Sequence, residues 1–276
     1  MPHASLRVGL IGAGRAGTVI ARALERIGHP CVAVHAVSDT STRRAAALLP
    51  SADLLDPIAV CNASDLIIIA VPDDAITALV QGLAASGAIT ARHIVMHLAG
   101  RFGTDVLEPA AQQGAMVMAV HPAMTLHGRP EDVERLIHCP FAVTAIGDAE
   151  AIATALVLEI GGVPVPVAAK DRVLYHAALA HASNHLVTLE AQAMEMLQSI
   201  GIRNAGDFLR PLTTASLDNV LQRGDDALTG PAPRGDLGTI HDHIVALESS
   251  DLVASSLDSY QVLSQASESR AKGERR

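Results

Sequence analysis

Leu6-Arg7-Val8-Gly9-Leu10-Ile11-Gly12-Ala13-Gly14-Arg15-Ala16-Gly17 decides the fold. A short apolar run enters glycines at once, the mark of a buried strand feeding a tight turn. Downstream, Val19, Ile20, Ala23, Leu24 and Ile27 recur three or four residues apart, and Gly28 stops the pattern. Arg15 to Ile27 is therefore an amphipathic helix closed by a glycine. The glycines match G-x-G-x-x-G: Gly12 permits the turn, Gly14 lets a pyrophosphate approach the backbone, and Gly17 lets the helix pack against the strand. Free amides at the helix N-terminus then face the anion, which makes Gly12, Ala13, Gly14, Arg15, Ala16 and Gly17 the first cofactor-binding candidates. A purely structural βα turn is the competing interpretation, because glycine turns after strands are common.

Outward from this turn, Cys31 to Val37 reads as the next strand, and Thr40 or Ser41 can cap a helix through Leu49. Asp39 lies about 20 residues past the last glycine, where a carboxylate would hold the ribose hydroxyls of NAD. Ser38, Ser41, Arg43 and Arg44 could instead cradle the 2′-phosphate of NADP, and Asp39 could merely cap the helix. NADP is favoured over NAD, with Ser38, Asp39 and Arg43 as the contacting residues. Leu66 to Val71 is apolar on both faces and marks a central parallel strand. Pro72 ends it, and Asp73 can cap a helix running from Asp74 towards Ala85. Further strands are expected at 93–97, 115–119 and 140–146, with a helical stretch at 105–113 and a long loop at 121–135. A helix at 149–160 and a strand at 163–167 follow. The class is α/β: a doubly wound, Rossmann-like parallel sheet followed by an all-α C-terminal domain.

Beyond Lys170 the strands stop. Residues 171–200 carry neither Pro nor Gly and read as one long helix closed by Gly201. Helices follow at 204–222, kinked at Pro211, and at 236–248 and 251–265, while the charged tail from Ser267 frays. The expected division is 1–167 for the dinucleotide-binding domain, 168–266 for a helical substrate or dimerisation domain, and 267–276 for the tail. A homodimer is expected through the Ala-rich 171–200 helix.

Composition narrows the partners. Of 276 residues 49% are hydrophobic but 2% aromatic, with no Trp, and the formal charge is −9. A surface of this kind lacks the stacking rings and basic groove that nucleic acid needs, and it repels anionic membranes at long range. Cys31, Cys61 and Cys139 are odd in number and far apart, so neither a disulfide framework nor a zinc site is indicated. No apolar run has the length of a signal segment or a membrane span, and a cytoplasmic location is expected.

Among the polar residues, His121-Pro122 follows the 115–119 strand and stands at a carboxyl end of the sheet, where open α/β folds bind ligands. A histidine there can protonate a carbonyl oxygen as hydride arrives. On the long helix His176, Ser183 and Asn184 fall roughly on one side, and Asn184, if buried, can orient a substrate carbonyl or carboxylate. His181 and His185 are spaced i, i+4, yet no third ligand accompanies them and no metal is expected. Arg234 in the Pro- and Gly-rich loop 229–236 could grip a carboxylate, with Asp236 capping the next helix or pairing with it.

Val71-Pro72-Asp73-Asp74-Ala75-Ile76 resembles the turn that passes along the cofactor in the 6-phosphogluconate-dehydrogenase-like superfamily, which adds Val71, Pro72 and Ile76 to the cofactor candidates. Together with Gly12 to Gly17, His121-Pro122, Tyr175-His176-Ala177-Ala178, Ser183-Asn184, Asn219, Thr229-Gly230-Pro231, Arg234-Gly235-Asp236 and His243, it resembles a two-domain family over nearly the full chain. That family joins a Rossmann-like half to a helical C-terminal domain of unknown function. The resemblance implies an NAD(P)-dependent oxidoreductase, and some members resemble an alternative ketopantoate reductase serving pantothenate synthesis; prephenate dehydrogenases share a similar His-Pro turn. It implies a cytosolic reductase of a small 2-oxo acid in which His121 or His176 gives the proton, Asn184 and Asn219 orient the carbonyl, and Arg234 holds the carboxylate. Lys170 is carried as a further catalytic candidate, although the β-hydroxyacid dehydrogenase signature has Asn four residues after its Lys and Leu174 stands there. Two other departures are Asp39, where the family usually has Arg, and His97-Leu98-Ala99-Gly100, where it tends to read His-x-Ser-Gly. The alternatives are a dehydrogenase or imine reductase acting on another carboxylated metabolite, and a dinucleotide sensor whose helical half is an interaction module.

Overall fold

Val8–Ile11 (β1) and Leu66–Ile69 (β4) have no polar face, and every residue of both is buried. In the computed structural model, which describes residues 5–250 and 253–274, the two strands pair in parallel at the centre of an eight-stranded sheet. The other strands are β2 (Cys31–His35), β3 (Asp53–Leu54), β5 (Ile94–His97), β6 (Met116–Pro122), β7 (Pro140–Ala145) and β8 (Val163–Pro166). Their order is β3-β2-β1-β4-β5-β6-β7-β8, and the first six run parallel. This is the dinucleotide-binding order, with the winding reversing between β1 and β4. The Rossmann-like class read from the sequence holds, with one addition: β7 runs antiparallel to β6, and β8 follows β7.

Helices cover both faces: α1 (Arg15–Arg26), α2 (Asp39–Leu48), α3 (Pro57–Ala63), α4 (Ile76–Ala85), α5 (Glu108–Gln112) and α6 (Asp148–Glu159). Alternation along β4 divides the core. Leu66 and Ile68 pack with α1, α2 and α6, whereas Ile67 and Ile69 pack with α3, α4 and α5. A one-residue slip of β4 would exchange the two sets, so the register is strongly specified.

Several local expectations change. Ser38, not Asp39, Thr40 or Ser41, caps α2, in a reciprocal box with Ser41. Asp73 caps nothing; α4 begins at Ile76 after a 3-10 turn, and Asp73 pairs with Arg101 at 3.0 Å. Short β3 and α3 lie in a stretch without clear periodicity, where Asp56 accepts from the Ala59 amide to start α3. His121 and Pro122 belong to β6 rather than to the loop after it, because the reversed β7 supplies partners: His121 stands opposite Ala142 and Pro122 opposite Phe141. Pro122 is tolerated as the strand's last residue, where its missing N–H costs no interior bond.

The 171–200 run is not one α-helix. Arg172–Ala180 (α7) passes into a π-helical segment at His181–His185 before Leu186–Ser199 (α8). Contacts divide the chain within that segment, into Met1–His181 and Ala182–Arg276. The second unit continues with α9 (Ala205–Arg223, helical through Pro211), α10 (Pro231–Arg234), α11 (Leu237–Glu248) and α12 (Leu257–Ala271). α12 reaches well into the expected tail, helped by a Lys272–Glu268 pair one turn apart. Residues 251 and 252 of the expected 251–265 helix, and 275 and 276 of the tail, lie outside the described residues. No helix among the described residues is long and apolar enough to cross a membrane.

Candidate active site

The glycine turn is built as its spacing demands. Gly12 has φ of 97°, and a Cβ there would meet the Ala70 carbonyl oxygen at 2.6 Å. A Cβ on Gly17 would meet that of Ala70, also at 2.6 Å, so α1 approaches β4 only because Gly17 is bare. Gly14 is different: the nearest atom to its missing Cβ is 3.6 Å away, and no side chain caps α1. The helix amides are thus left for an external anion. Ala13 is buried and its carbonyl accepts from Arg44 Nη1 at 2.9 Å, while Arg15 is exposed and Ala16 partly buried. A Cβ on Gly128, in the loop after β6, would stand 2.6 Å from Arg44 Nε and 3.2 Å from Arg15 Cα, a proximity no local pattern announces.

Around the second strand, the Ser38 and Ser41 hydroxyls are engaged in the helix cap. Asp39 and Arg43 are exposed beside them. Val71 and Pro72 follow β4 at its carboxyl end, but Ile76 is 1% exposed and committed to the core with Val80 and Leu83. Its side chain therefore packs the fold rather than facing a ligand.

Histidines gather at the carboxyl ends of β5 and β6. His121 Nδ1 lies 2.9 Å from the Tyr175 hydroxyl, and the His121 ring meets those of Tyr175 and His176 edge-on at 5.7 and 5.9 Å. Gly100, in the turn after β5, makes room for them: a Cβ there would stand 2.5 Å from His176 Cδ2 and 3.0 Å from His121 Nε2. The turn itself is held by His97, whose Nδ1 accepts from the Ala99 amide while Nε2 meets the Gly103 carbonyl at 2.7 Å. Those partners require the neutral ring with its proton on Nε2. Burial, above all, pulls both His97 and His121 down to about 4, with the Arg172 charge adding to the effect and His176 adding further at His121. Burial pushes the Tyr175 phenol up. At neutral pH the His121–Tyr175 pair is therefore uncharged.

Lys170 is exposed in the 3-10 turn before α7. Asn184 is exposed in the π-helical segment, so the buried amide the sequence suggested is not found; its carbonyl accepts from Thr188. Asn219 on α9 and Arg234 at the end of α10 are exposed, and all three belong to the second unit. Asp236 caps α11 by accepting from the Thr239 amide at 3.1 Å. His243 and Tyr260 form a second His–Tyr pair at 2.6 Å. Sequence reasoning missed Arg172, which is fully buried against the β6 and β7 backbone, because an arginine beside a helix start reads as a solvated residue.

A six-stranded dinucleotide-binding order, a bare glycine turn at its reversal and a histidine cluster along the same strand ends define a Rossmann-like protein with a helical second unit. Residues 1–122 match the family model of the Rossmann-like domain, and residues 139–267 match the domain of unknown function DUF2520. The two matches follow one another along the chain, the pairing of a Rossmann-like half with a helical domain of unknown function that the sequence resemblance implies. Among solved structures, a Bacteroides fragilis protein provisionally assigned as an NADP oxidoreductase is 24% identical over 96% of this chain and 99% of its own, with a TM-score of 0.82. A reductive aminase from Aspergillus terreus, solved with NADPH and ethyl-5-oxohexanoate, is 19% identical over 98% of this chain and 95% of its own, with a TM-score of 0.72. Plasmodium falciparum pyrroline carboxylate reductase, with NADP bound, is 11% identical over 95% and 98%, with a TM-score of 0.60. At these identities the likeness establishes the fold. No curated protein matches the chain.

Proposed function

We propose that the chain is an NAD(P)H-dependent reductase of a small 2-oxo acid, with ketopantoate the first substrate to try. The observation that carries this reading is the uncharged His121–Tyr175 pair beside the bare Gly100, on the strand ends that also carry the glycine turn. A bound nicotinamide cofactor supplies the hydride. The amides of Gly12 to Gly17 would hold its pyrophosphate, with Arg43 near the adenine ribose; NADP is favoured, as in the similar structures that hold it.

With Tyr175 as the donor to His121 Nδ1, the ring proton lies on Nε2, the nitrogen that packs towards Gly100. A neutral imidazole N–H so placed polarises a carbonyl oxygen and hydrogen-bonds the alkoxide that forms from it. His176 packs against the same glycine. Asn184, Asn219 and Arg234 remain our candidates for orienting the carbonyl and the carboxylate, and Lys170 for assisting.

A C=N bond is the second reading, because the similar folds include a reductive aminase and a pyrroline carboxylate reductase. Charge favours the carbonyl. The permanent cation that acts on His121 is Arg172, whose charge stabilises a developing oxyanion and disfavours an iminium. The exposed apolar side chains Leu212, Leu217 and Val220 on α9 and Val187 on α8 support a homodimer in which a second copy covers them.

The test is oxidation of NADPH or NADH by purified protein with a panel of 2-oxo acids and a panel of cyclic imines. Turnover of 2-oxo acids is expected; turnover of imines alone would move the reading to the C=N bond. Tight cofactor binding with no turnover on either panel would make the chain a dinucleotide sensor, and failure to bind either cofactor would remove the role given to the glycine turn.

A further inference from the structure

Arg172 is 0% exposed, and no carboxylate among the described residues pairs with it. Its Nε donates to Thr144 Oγ1 at 2.7 Å, and Nη2 donates to the carbonyls of Ala119 at 2.8 Å and Ala142 at 3.0 Å. Nη1 is buried without a protein partner. Burial draws the guanidinium down to about 10, which still leaves it a cation at any physiological pH. A buried, uncompensated charge costs several kcal/mol, and an apolar side chain of similar volume would usually serve stability as well or better. The fold therefore keeps a cation here at a cost that stability does not explain.

The placement of its three acceptors supplies the reason. Ala142 faces His121 across the β6–β7 ladder, and Ala119 faces Thr144 two rungs along it. Thr144 passes the connection on, donating to the Val167 carbonyl ahead of α7. Arg172 begins α7, one turn before Tyr175, and its guanidinium carbon lies 5.9 Å from the centre of the Tyr175 ring. One side chain thus binds the two strands that carry His121 to the helix that carries its hydrogen-bond partner.

We propose that Arg172 is the positioning residue of this site: its fork fixes the rung of His121 relative to the turn of Tyr175, and its unpaired charge makes the ground beneath them positive, suited to an oxyanion. The inference rests on the function proposed above. Groups that face the pair are His97 from the end of β5, with Asp73 and Asp105 acting on it in turn, and His176, Tyr175 and Arg172 itself from α7. Cys139, ahead of β7, acts on Tyr175.

The experiment uses the full chain as wild type, R172M and R172K, with three readouts: the NMR titration of the His121 ring, assigned by its loss in H121N; NADPH affinity; and turnover on the best 2-oxo acid. In R172M the His121 midpoint is expected to rise by about half a unit or more, because a like charge has left. Turnover should fall on the order of 100-fold while NADPH affinity holds, the signature of a displaced reacting group. R172K keeps a charge without the fork, so it should retain the low midpoint yet still lose turnover. A folded R172M with the wild-type midpoint and turnover within about threefold overturns the proposal. If R172M does not fold, R172K decides, since full turnover there overturns it. The titration reads the charge effect without any substrate, so a wild-type protein that reduces nothing would refute the reductase reading and leave this one to be judged by the His121 midpoint.

Discussion

Gly100→Ala tests the geometry of the site without touching its chemistry. The backbone at Gly100 lies outside the left-handed region, so alanine can adopt it without strain and the consequence is steric. The new Cβ would sit 2.5 Å from His176 Cδ2, 3.0 Å from His121 Nε2 and 3.1 Å from His121 Cδ2. Carbon atoms prefer about 3.5–4.0 Å, so the His176 ring must move by roughly 1 Å and the His121 ring by about half that. Overpacking of this kind costs about 1–3 kcal/mol, and for a chain of this size each kcal/mol lowers the melting temperature by about 2–4 °C. The larger effect falls on catalysis, where a displacement near 1 Å costs on the order of 100-fold. The assay measures kcat and KM for the 2-oxo acid, NADPH binding by fluorescence, and Tm. A fall in kcat with NADPH affinity held and a Tm drop of a few degrees is expected. Wild-type kcat in a protein carrying the methyl group would refute the catalytic role given to the His121–His176 pair packed on Gly100.

At the other end of the site, Gly12→Ala combines a φ of 97° with a Cβ 2.6 Å from the Ala70 carbonyl oxygen, so both stability and NADPH affinity should fall; unchanged affinity by titration calorimetry would count against the turn as the cofactor site. His97 and His121 sit near 4 in the fold against about 6.5 in an unfolded chain, so between those values the unfolded state binds more protons. Their contribution is complete above about pH 6.5 and is lost as pH falls towards 4, by up to roughly 3 kcal/mol each, and urea midpoints at pH 7 and 4.5 should differ accordingly. His97→Gln should shrink that difference, and an unshrunk one would mean that His97 titrates freely. Asp65 is held below the usual carboxylate range by hydrogen bonds from Arg7, so its contribution is present above about pH 4 and lost on acidification; Arg7→Ala should lower the urea midpoint at pH 7 but not at pH 2.5. Leu212→Glu should shift sedimentation equilibrium towards monomer, and a dimer of undiminished strength would place the contact elsewhere.

Much of the first unit was legible because its signals are local. A run such as Leu66 to Ile69 can be buried on both faces only in a parallel sheet, and the glycine spacing answers to steric needs that hold wherever the turn occurs. The errors were of two kinds. Capping depends on single hydrogen bonds, so Ser38 could not be told from its neighbours Asp39, Thr40 and Ser41 by residue type. Burial depends on distant elements, so the core position of the Ile76 side chain and the exposure of Asn184 could not be read from their neighbours in sequence.

The sequence by itself determined the strand–glycine turn–helix unit, the parallel sheet and the histidine at the end of its sixth strand. Each of these is set by periodicity or by the conformational freedom of a residue read with its neighbours. Only the tertiary structure decided what surrounds that histidine. The reversed β7 puts Ala142 opposite His121, α7 brings Tyr175 to its Nδ1, and Arg172 enters the interior because acceptors from β6 and β7 converge on it. No local rule buries a lone arginine, since its desolvation is offset only by groups far away in the chain.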